Sequence, residues 1–251
     1  MRGFRTLLFK EILRFWKVSF QTVLAPLVST LLYLLVFSHV MSDHPDVYPG
    51  VTYAAFLIPG LTMMAMVQNA FANSSSSLVQ SKVMGNMVFV LLTPLSHAEI
   101  FGAYVLAAMV RGLLVGTVVF VTGWVFFDVP IRQPLWTITF AVLSTALSGS
   151  LGILAGIWAE KFDQMAAWQN FVILPLTFLS GAFYSIHTLP PFWAALSRFN
   201  PFFYMIDGFR YGLLGSADIS PWESLLIVGG ACLALSWTTL AVLRSGWRLR
   251  N

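Results

Sequence analysis

The side chains able to hold a metal, move a proton or attack a substrate are few: ten acids, four histidines and one cysteine in 251 residues. The acids are Glu11, Asp43, Asp46, Glu99, Asp128, Glu160, Asp163, Asp207, Asp218 and Glu223; the histidines are His39, His44, His97 and His187, and the thiol is Cys232. They form no H-E-x-x-H run, no Ser/His/Asp set and no paired carboxylates on one face, and no G-x-x-x-x-G-K-[ST] loop is present to cradle phosphates. One cysteine excludes an internal disulfide and the clustered Cys/His spacing of a zinc or iron–sulfur site. The sequence therefore supports neither catalysis nor ATP binding by this chain. An ion-driven carrier usually needs carboxylates or histidines near the membrane midplane, but here all of them fall in loops or at the ends of apolar stretches.

Three other features carry information. Arg111 lies inside a long apolar stretch, where an unpaired charge costs a few kcal/mol or more, so it must face protein or water; it serves either an anionic cargo group or a structural partner. Asn69, Asn73 and Gln80, with Ser76 between them, recur on one helical face. That stripe either lines a translocation path, together with Arg111, or glues helices together by hydrogen bonds. The segment Phe183 to Tyr211 holds ten aromatics, among them Phe183, Tyr184, Phe192, Trp193, Phe203 and Tyr204, and is broken by Pro190, Pro191 and Pro201. It cannot be one spanning helix. It reads either as an aromatic belt or as an outer gate that closes a path for amphipathic molecules.

The elements that position these residues follow from composition. The chain is 58% hydrophobic and 10% charged, against about 45–50% and about 25% in soluble domains, so it is one polytopic membrane domain, 1–251. Stretches of about 20 apolar residues place spans at 18–40, 53–75, 101–125, 135–158, 165–184 and 224–243, which makes an all-α membrane protein with six transmembrane helices. Residues 1–17 read as an interfacial amphipathic helix, with Phe4, Leu8, Ile12, Phe15 and Trp16 on one face among five basic residues. The connector 80–99, with Gly85, Asn86, Pro94, His97 and Glu99, is too broken for a clean span, and 185–215 is too interrupted to span. Small residues at four-residue spacing, Gly112 with Gly116 and Ser148, Gly152 and Gly156, suit close helix packing.

Lysine and arginine mark cytoplasmic loops. Ten of them fall on the side of the termini: Arg2, Arg5, Lys10, Arg14, Lys17, Lys82, Lys161, Arg244, Arg248 and Arg250. Three fall on the other side: Arg132, Arg198 and Arg210. Both termini are therefore expected in the cytoplasm. The net charge of +4 is an orientation signal and an attraction to anionic lipid, and no nucleic-acid partner is needed to explain it.

The chain resembles a known family, the integral-membrane permeases of ABC-2 type exporters, close to the YadH-like and NodJ-like group. The motifs that carry the likeness are Phe56-Leu-Ile-Pro-Gly-Leu61, Asn69-Ala-Phe-Ala-Asn73, Arg111-Gly-Leu-Leu-Val-Gly116, Leu179-Ser-Gly-Ala-Phe-Tyr-Ser185, Leu189-Pro-Pro-Phe-Trp193 and Asn200-Pro-Phe-Phe-Tyr-Met-Ile-Asp-Gly-Phe-Arg-Tyr-Gly212. Their order covers essentially the whole chain.

The resemblance implies a bacterial inner-membrane complex of two six-helix permeases, as a homodimer, with two cytoplasmic ABC ATPase subunits. ATP and Mg would bind on the ATPase, with no cofactor on this chain. It further implies that the connector 80–99 is a coupling helix seated in the ATPase, with Lys82, Asn86, Leu91, Leu92, Thr93 and Pro94 at the contact, and that 185–215 forms extracytoplasmic re-entrant helices. Where relatives often carry acids before the Leu-Leu-x-x-Pro-like element, this chain has Met87, Val88, Phe89 and Val90, which implies a more apolar contact. The cargo expected is a drug, a lipid or a lipid-linked glycan. The rival readings are an ion-gradient-driven secondary transporter, a membrane-embedded lipid-acting enzyme and a non-transporting scaffold.

Overall fold

Proline, fixed at the helical φ and lacking an N–H, suits the first turn of a helix, and Pro134, Pro191, Pro201 and Pro221 each open one. Other starts are capped by side chains. Thr52 accepts from the Ala55 N–H at 3.4 Å. Ser96 and Glu99 exchange bonds as a capping box, Ser96 N–H to Glu99 Oε2 at 2.9 Å and Glu99 N–H to Ser96 Oγ at 3.2 Å. Glycines in the left-handed region, Gly215 and Gly246, end two helices.

The computed structural model describes residues 2–40, 47–127 and 129–248. The loop residues Asp43, His44 and Asp46, with Asp128 and Arg250, lie outside the described residues. The helices are α1 (Arg2–Trp16), α2 (Ser19–Val40), α3 (Tyr53–Val83), α4 (Met87–Leu92), α5 (His97–Phe127) and α6 (Pro134–Trp158). They are followed by α7 (Phe162–Trp168), α8 (Leu174–Phe178), α9 (Pro191–Arg198), α10 (Pro201–Leu214) and α11 (Pro221–Ser245). No strand forms among the described residues beyond an isolated bridge between Tyr48 and Val51.

Among the described residues, five helices, α2, α3, α5, α6 and α11, are long and apolar enough to cross a membrane. The expected fifth span, 165–184, is instead a broken rod. A π-helical turn, Gln169–Ile173, joins α7 to α8, and the chain turns from Leu179. Pro175 sits just past that wide turn, where a missing N–H is least disruptive.

α3 is the central element, 94% buried in its apolar window, whereas α2 and α11 are each 11% buried. A helix apolar all round is at home either inside protein or in lipid, so α3 takes the protein interior and α2 and α11 turn most of their surface to the membrane. α3 packs on α5 and α6 through small residues. A Cβ at Gly152 would lie 2.5 Å from the Phe71 carbonyl oxygen, and one at Gly112 would lie 2.8 Å from that of Met66. The Ser74 hydroxyl donates to the Gly149 carbonyl at 2.7 Å across the same contact. The spacing of small residues read from the sequence is thus the packing seam.

Candidate functional site

At one end of the bundle α1 packs on α5 and reaches the C-terminal half of α3 through the side chains of Glu11 and Arg14. Its buried stripe is Leu7, Glu11 and Phe15, with Phe4, Leu8 and Ile12 half-buried beside it. Trp16, expected on this face, is exposed.

Glu11, fully buried, accepts from Ser77 Oγ at 2.6 Å and Lys10 Nζ at 3.0 Å, and pairs with Arg14 Nε at 3.4 Å. Arg14 donates onward to the Asn73 carbonyl at 2.6 Å, to Asn73 Oδ1 at 3.2 Å and to Ser76 Oγ at 3.2 Å. One turn deeper, Arg111 of α5 donates to Asn69 Oδ1 from Nε and Nη2 at 3.3 and 3.2 Å. Of the stripe Asn69, Asn73, Ser76 and Gln80, Asn69 thus meets Arg111 while Asn73 and Ser76 meet Arg14, so these three positions make interhelical bonds to two arginines.

The connector after α3 is short. Gly85, in the left-handed region, turns the chain, α4 occupies Met87–Leu92, and the capping box starts α5. The residues expected at an ATPase contact divide. Lys82 turns inward, donating to the carbonyls of Ile157 and Ala159 (3.1 Å to the latter) and so closing the C-terminus of α6. Leu91 packs on the core at the α1 end. Leu92 is 75% exposed, with Phe89, Val88 and Met84 exposed beside it. Asn86, Thr93 and Pro94 are also exposed, and the Thr93 hydroxyl closes the end of α4 on the Val90 carbonyl at 2.6 Å. An apolar group of this kind, uncovered at the end of a helix bundle, marks a contact surface.

The opposite end is closed by α9, α10 and the turns around them. α10, nearly all buried, packs on α3, α6 and α11 and is tied by backbone to the start of α6: Arg132 N–H to Leu213 O at 3.1 Å and Gln133 N–H to Gly212 O at 2.7 Å. Of the expected gate residues, Phe203 is buried and meets Tyr204 edge to face. Phe183 contacts the rings of Tyr33, Phe37 and Phe178, and Tyr184 donates to the Phe178 carbonyl at 3.3 Å. Phe192 and Trp193 are exposed on α9 and their rings meet edge to face.

Sequence reasoning missed a carboxylate pair in this cap. Asp207, fully buried on α10, accepts from the N–H groups of Asp218 and Ile219 at 2.7 and 3.0 Å. Asp218 in turn accepts from Tyr48 Oη, Ser185 Oγ and the Ile186 N–H, each at 2.7 Å. Burial, more than the adjacent Asp218 carboxylate, holds the Tyr48 phenol well above its ordinary pKa of 10.0. Arg210 is fully buried too, donating to the Gly181 carbonyl at 2.6 Å with its guanidinium 4.0 Å over the Phe56 ring. It is structural and not a solvent-facing topology charge. The signal that could have revealed Asp207 and Glu11 is a lone acid within an apolar helical stripe.

Helices long and apolar enough to cross a membrane, an amphipathic helix at one end and an exposed apolar connector make this a multi-pass membrane protein. The ABC-2 type transporter family model matches residues 2–214, and the chain belongs to that family. It is 39% identical to the inner membrane transport permease YadH of Escherichia coli (strain K12) over 212 residues, 84% of this chain and 82% of the relative. It is also 24% identical to nodulation protein J of Rhizobium meliloti (strain 1021) over 201 residues, 80% of this chain and 77% of that relative.

Proposed function

We propose that this chain is the permease subunit of an ATP-driven exporter in a bacterial inner membrane, with both termini in the cytoplasm. The α1 end, rich in lysine and arginine, is its cytoplasmic face. Six crossings result when the Phe162–Phe178 rod is counted as the fifth, with the turns after it returning to the outer surface. α9 and α10 then form the extracytoplasmic re-entrant pair and gate. The functional unit is a homodimer with two ABC ATPase subunits, which bind ATP and Mg. The cargo is amphipathic: a drug, a lipid or a lipid-linked glycan.

The single observation that carries this reading is the α4 tip. Val88, Phe89 and Leu92 project apolar surface away from the bundle at the cytoplasmic end, where lipid would not cover it. ATPase closure pushes α4, and the capping box passes that push to α5. The Glu11–Arg14 junction makes α1 and α3 move together. Rigid-body shifts of the spans then expose the path alternately. Asn69, Asn73 and Arg111 form its cytoplasmic seal, and their bonds exchange when it opens.

The test is Leu92→Asp. The chain should reach the membrane at wild-type level while losing its ATPase partner on purification. Retained association with intact coupling would reject α4 as the docking element. Leu92 is the better probe because Leu91 also packs on the core.

A further inference from the structure

Arg111 carries a charge that its neighbours do not neutralise. It lies about 20 Å along α5 from His97, the residue that opens the helix, and so well inside a hydrocarbon core about 30 Å thick. Its two hydrogen bonds, from Nε and Nη2, end on the same neutral atom, Asn69 Oδ1, at 3.3 and 3.2 Å. The charge that bears on it is Arg14, of like sign, and both ion pairs among the described residues belong to Glu11. A second donor close by lacks an acceptor: Asn73 is fully buried one turn from Asn69 on α3, and its Nδ2 has no partner. Arg14 fixes the orientation of that amide by taking Oδ1, since turning it over would set an N–H group against a guanidinium. Beside these donors the walls are apolar. One turn further along α5, Leu114 and Val115 pack with Ala65 of α3 and Val23 of α2. Arg111 itself is only half-buried, so a ligand can reach it.

We propose that the cargo carries an oxyanion headgroup on an apolar body, and that this headgroup takes Arg111 from Asn69 as the cargo passes. The inference rests on the reading of Asn69, Asn73 and Arg111 as a seal of the path, and it narrows the cargo to anionic amphiphiles. An uncompensated cation at membrane depth is costly. The Asn69 amide oxygen offers it only a partial charge, whereas a guanidinium holds an oxyanion through two parallel charge-assisted bonds. Exchanging Asn69 for the headgroup therefore favours the open arrangement when the cargo is anionic. A cationic cargo would meet two arginines, and a neutral one would leave the charge on Arg111 as it stands. Asn73 Nδ2, one turn nearer the α1 end, supplies a further donor to the headgroup on its way. A resident lipid does not fit, because its headgroup stays at the interface while Arg111 lies at depth. No residue of α4 takes part, so the surface assigned to the ATPase is left free.

The experiment uses the full chain in phosphatidylcholine nanodiscs and radiolabelled dodecyl phosphate, with binding to empty nanodiscs subtracted. Saturable binding should be displaced by unlabelled dodecyl phosphate, and not by dodecyltrimethylammonium or inorganic phosphate at the same concentration. Arg111→Gln should weaken it about ten- to hundredfold. Asn69→Ala, which removes the resident acceptor, should tighten it about threefold or more, a gain that a purely structural Arg111–Asn69 bond would not give. Lys17→Gln, an exposed cation at the end of α1, should leave it unchanged. Thermal melting confirms the folding of each variant, and if Arg111→Gln melts early the Asn69→Ala gain and the competition on the native chain decide. No saturable binding above empty nanodiscs, equal displacement by the cation or by inorganic phosphate, an equal loss in Lys17→Gln, or unchanged binding in a folded Arg111→Gln or in Asn69→Ala would each overturn the proposal. The measurement uses no ATPase, so its failure is distinct from failure of the exporter reading, which ATPase recovery tests.

Discussion

Removing one partner of a buried ion pair costs about 3–5 kcal/mol, whereas replacing both by apolar groups is often close to neutral. The Glu11–Arg14 junction lends itself to a double-mutant cycle on that basis. In Arg14→Met, Glu11 stays fully buried and keeps Ser77 and Lys10, but the half-exposed Lys10 compensates only in part. The expected loss is about 3 kcal/mol, the low end of that range. In Glu11→Leu, Arg14 keeps the Asn73 carbonyl and Oδ1 and is 23% exposed, so water relieves part of the cost. The Ser77 hydroxyl loses its partner, and the loss is about 1–2 kcal/mol. The double variant Glu11→Leu/Arg14→Met should be only about 2 kcal/mol below wild type. The coupling is then about 2–3 kcal/mol. Unfolding of the detergent-solubilised chain in a denaturing surfactant, followed by tryptophan fluorescence, gives all three values. A coupling below about 0.5 kcal/mol would mean that α1 is held by its apolar stripe alone, and the account of α1 and α3 as one moving body would be wrong.

Gly152→Val would place side-chain atoms against the Phe71 carbonyl oxygen, 2.5 Å from the Cβ position, and against Ser74 Oγ, closer still. It should destabilise the chain by several kcal/mol and sharply lower its yield in membranes, while Gly229→Ala, with open space around it, should not. Asp218→Ala strands three donors, Tyr48, Ser185 and the Ile186 N–H. A cost of about 2–4 kcal/mol should appear as earlier proteolysis near residues 185–220. Because the fold raises the Tyr48 pKa, the native state holds the phenol proton more tightly than the unfolded chain. This contribution to stability is full below about pH 10 and falls as pH rises above it, and Tyr48→Phe should remove that alkaline slope in a melting series.

Stretches free of formal charge were legible almost to the residue. The expected 18–40 is α2 at Ser19–Val40, and 135–158 is α6 at Pro134–Trp158. The expected 53–75 stops short of α3, which runs to Val83, because Ser74–Ser77 and Gln80 look like an exit into water. In the fold those hydroxyls are spent on backbone and on α1, as with Ser75 to Phe71 O at 2.8 Å and Ser77 to Glu11, so a polar stretch continues as a buried helix. The start at 101 was late because the helix opens on the Ser96/Glu99 capping box and takes in His97 and Glu99, polar residues that hydropathy excludes. Near residue 170 hydropathy carries no sign of the π turn, which is a matter of hydrogen-bond register. Arg111 and Asn69 lie on different helices 42 residues apart, so spacing does not pair them. The same holds for Arg14, which reaches Asn73 from another helix 59 residues away. The Asp207–Asp218 pair depends likewise on how the turn after α10 folds back.

The account's central claim is that this chain supplies the membrane path and a partner supplies the energy. Purifying the tagged chain from its native membrane under mild detergent, and assaying the eluate for an ABC ATPase subunit and its ATP hydrolysis, tests that claim most directly. The account predicts stoichiometric recovery of the ATPase subunit with measurable hydrolysis, both lost in Leu92→Asp. Recovery of the chain without any ATPase, together with transport by reconstituted vesicles under an ion gradient in the absence of ATP, would contradict it.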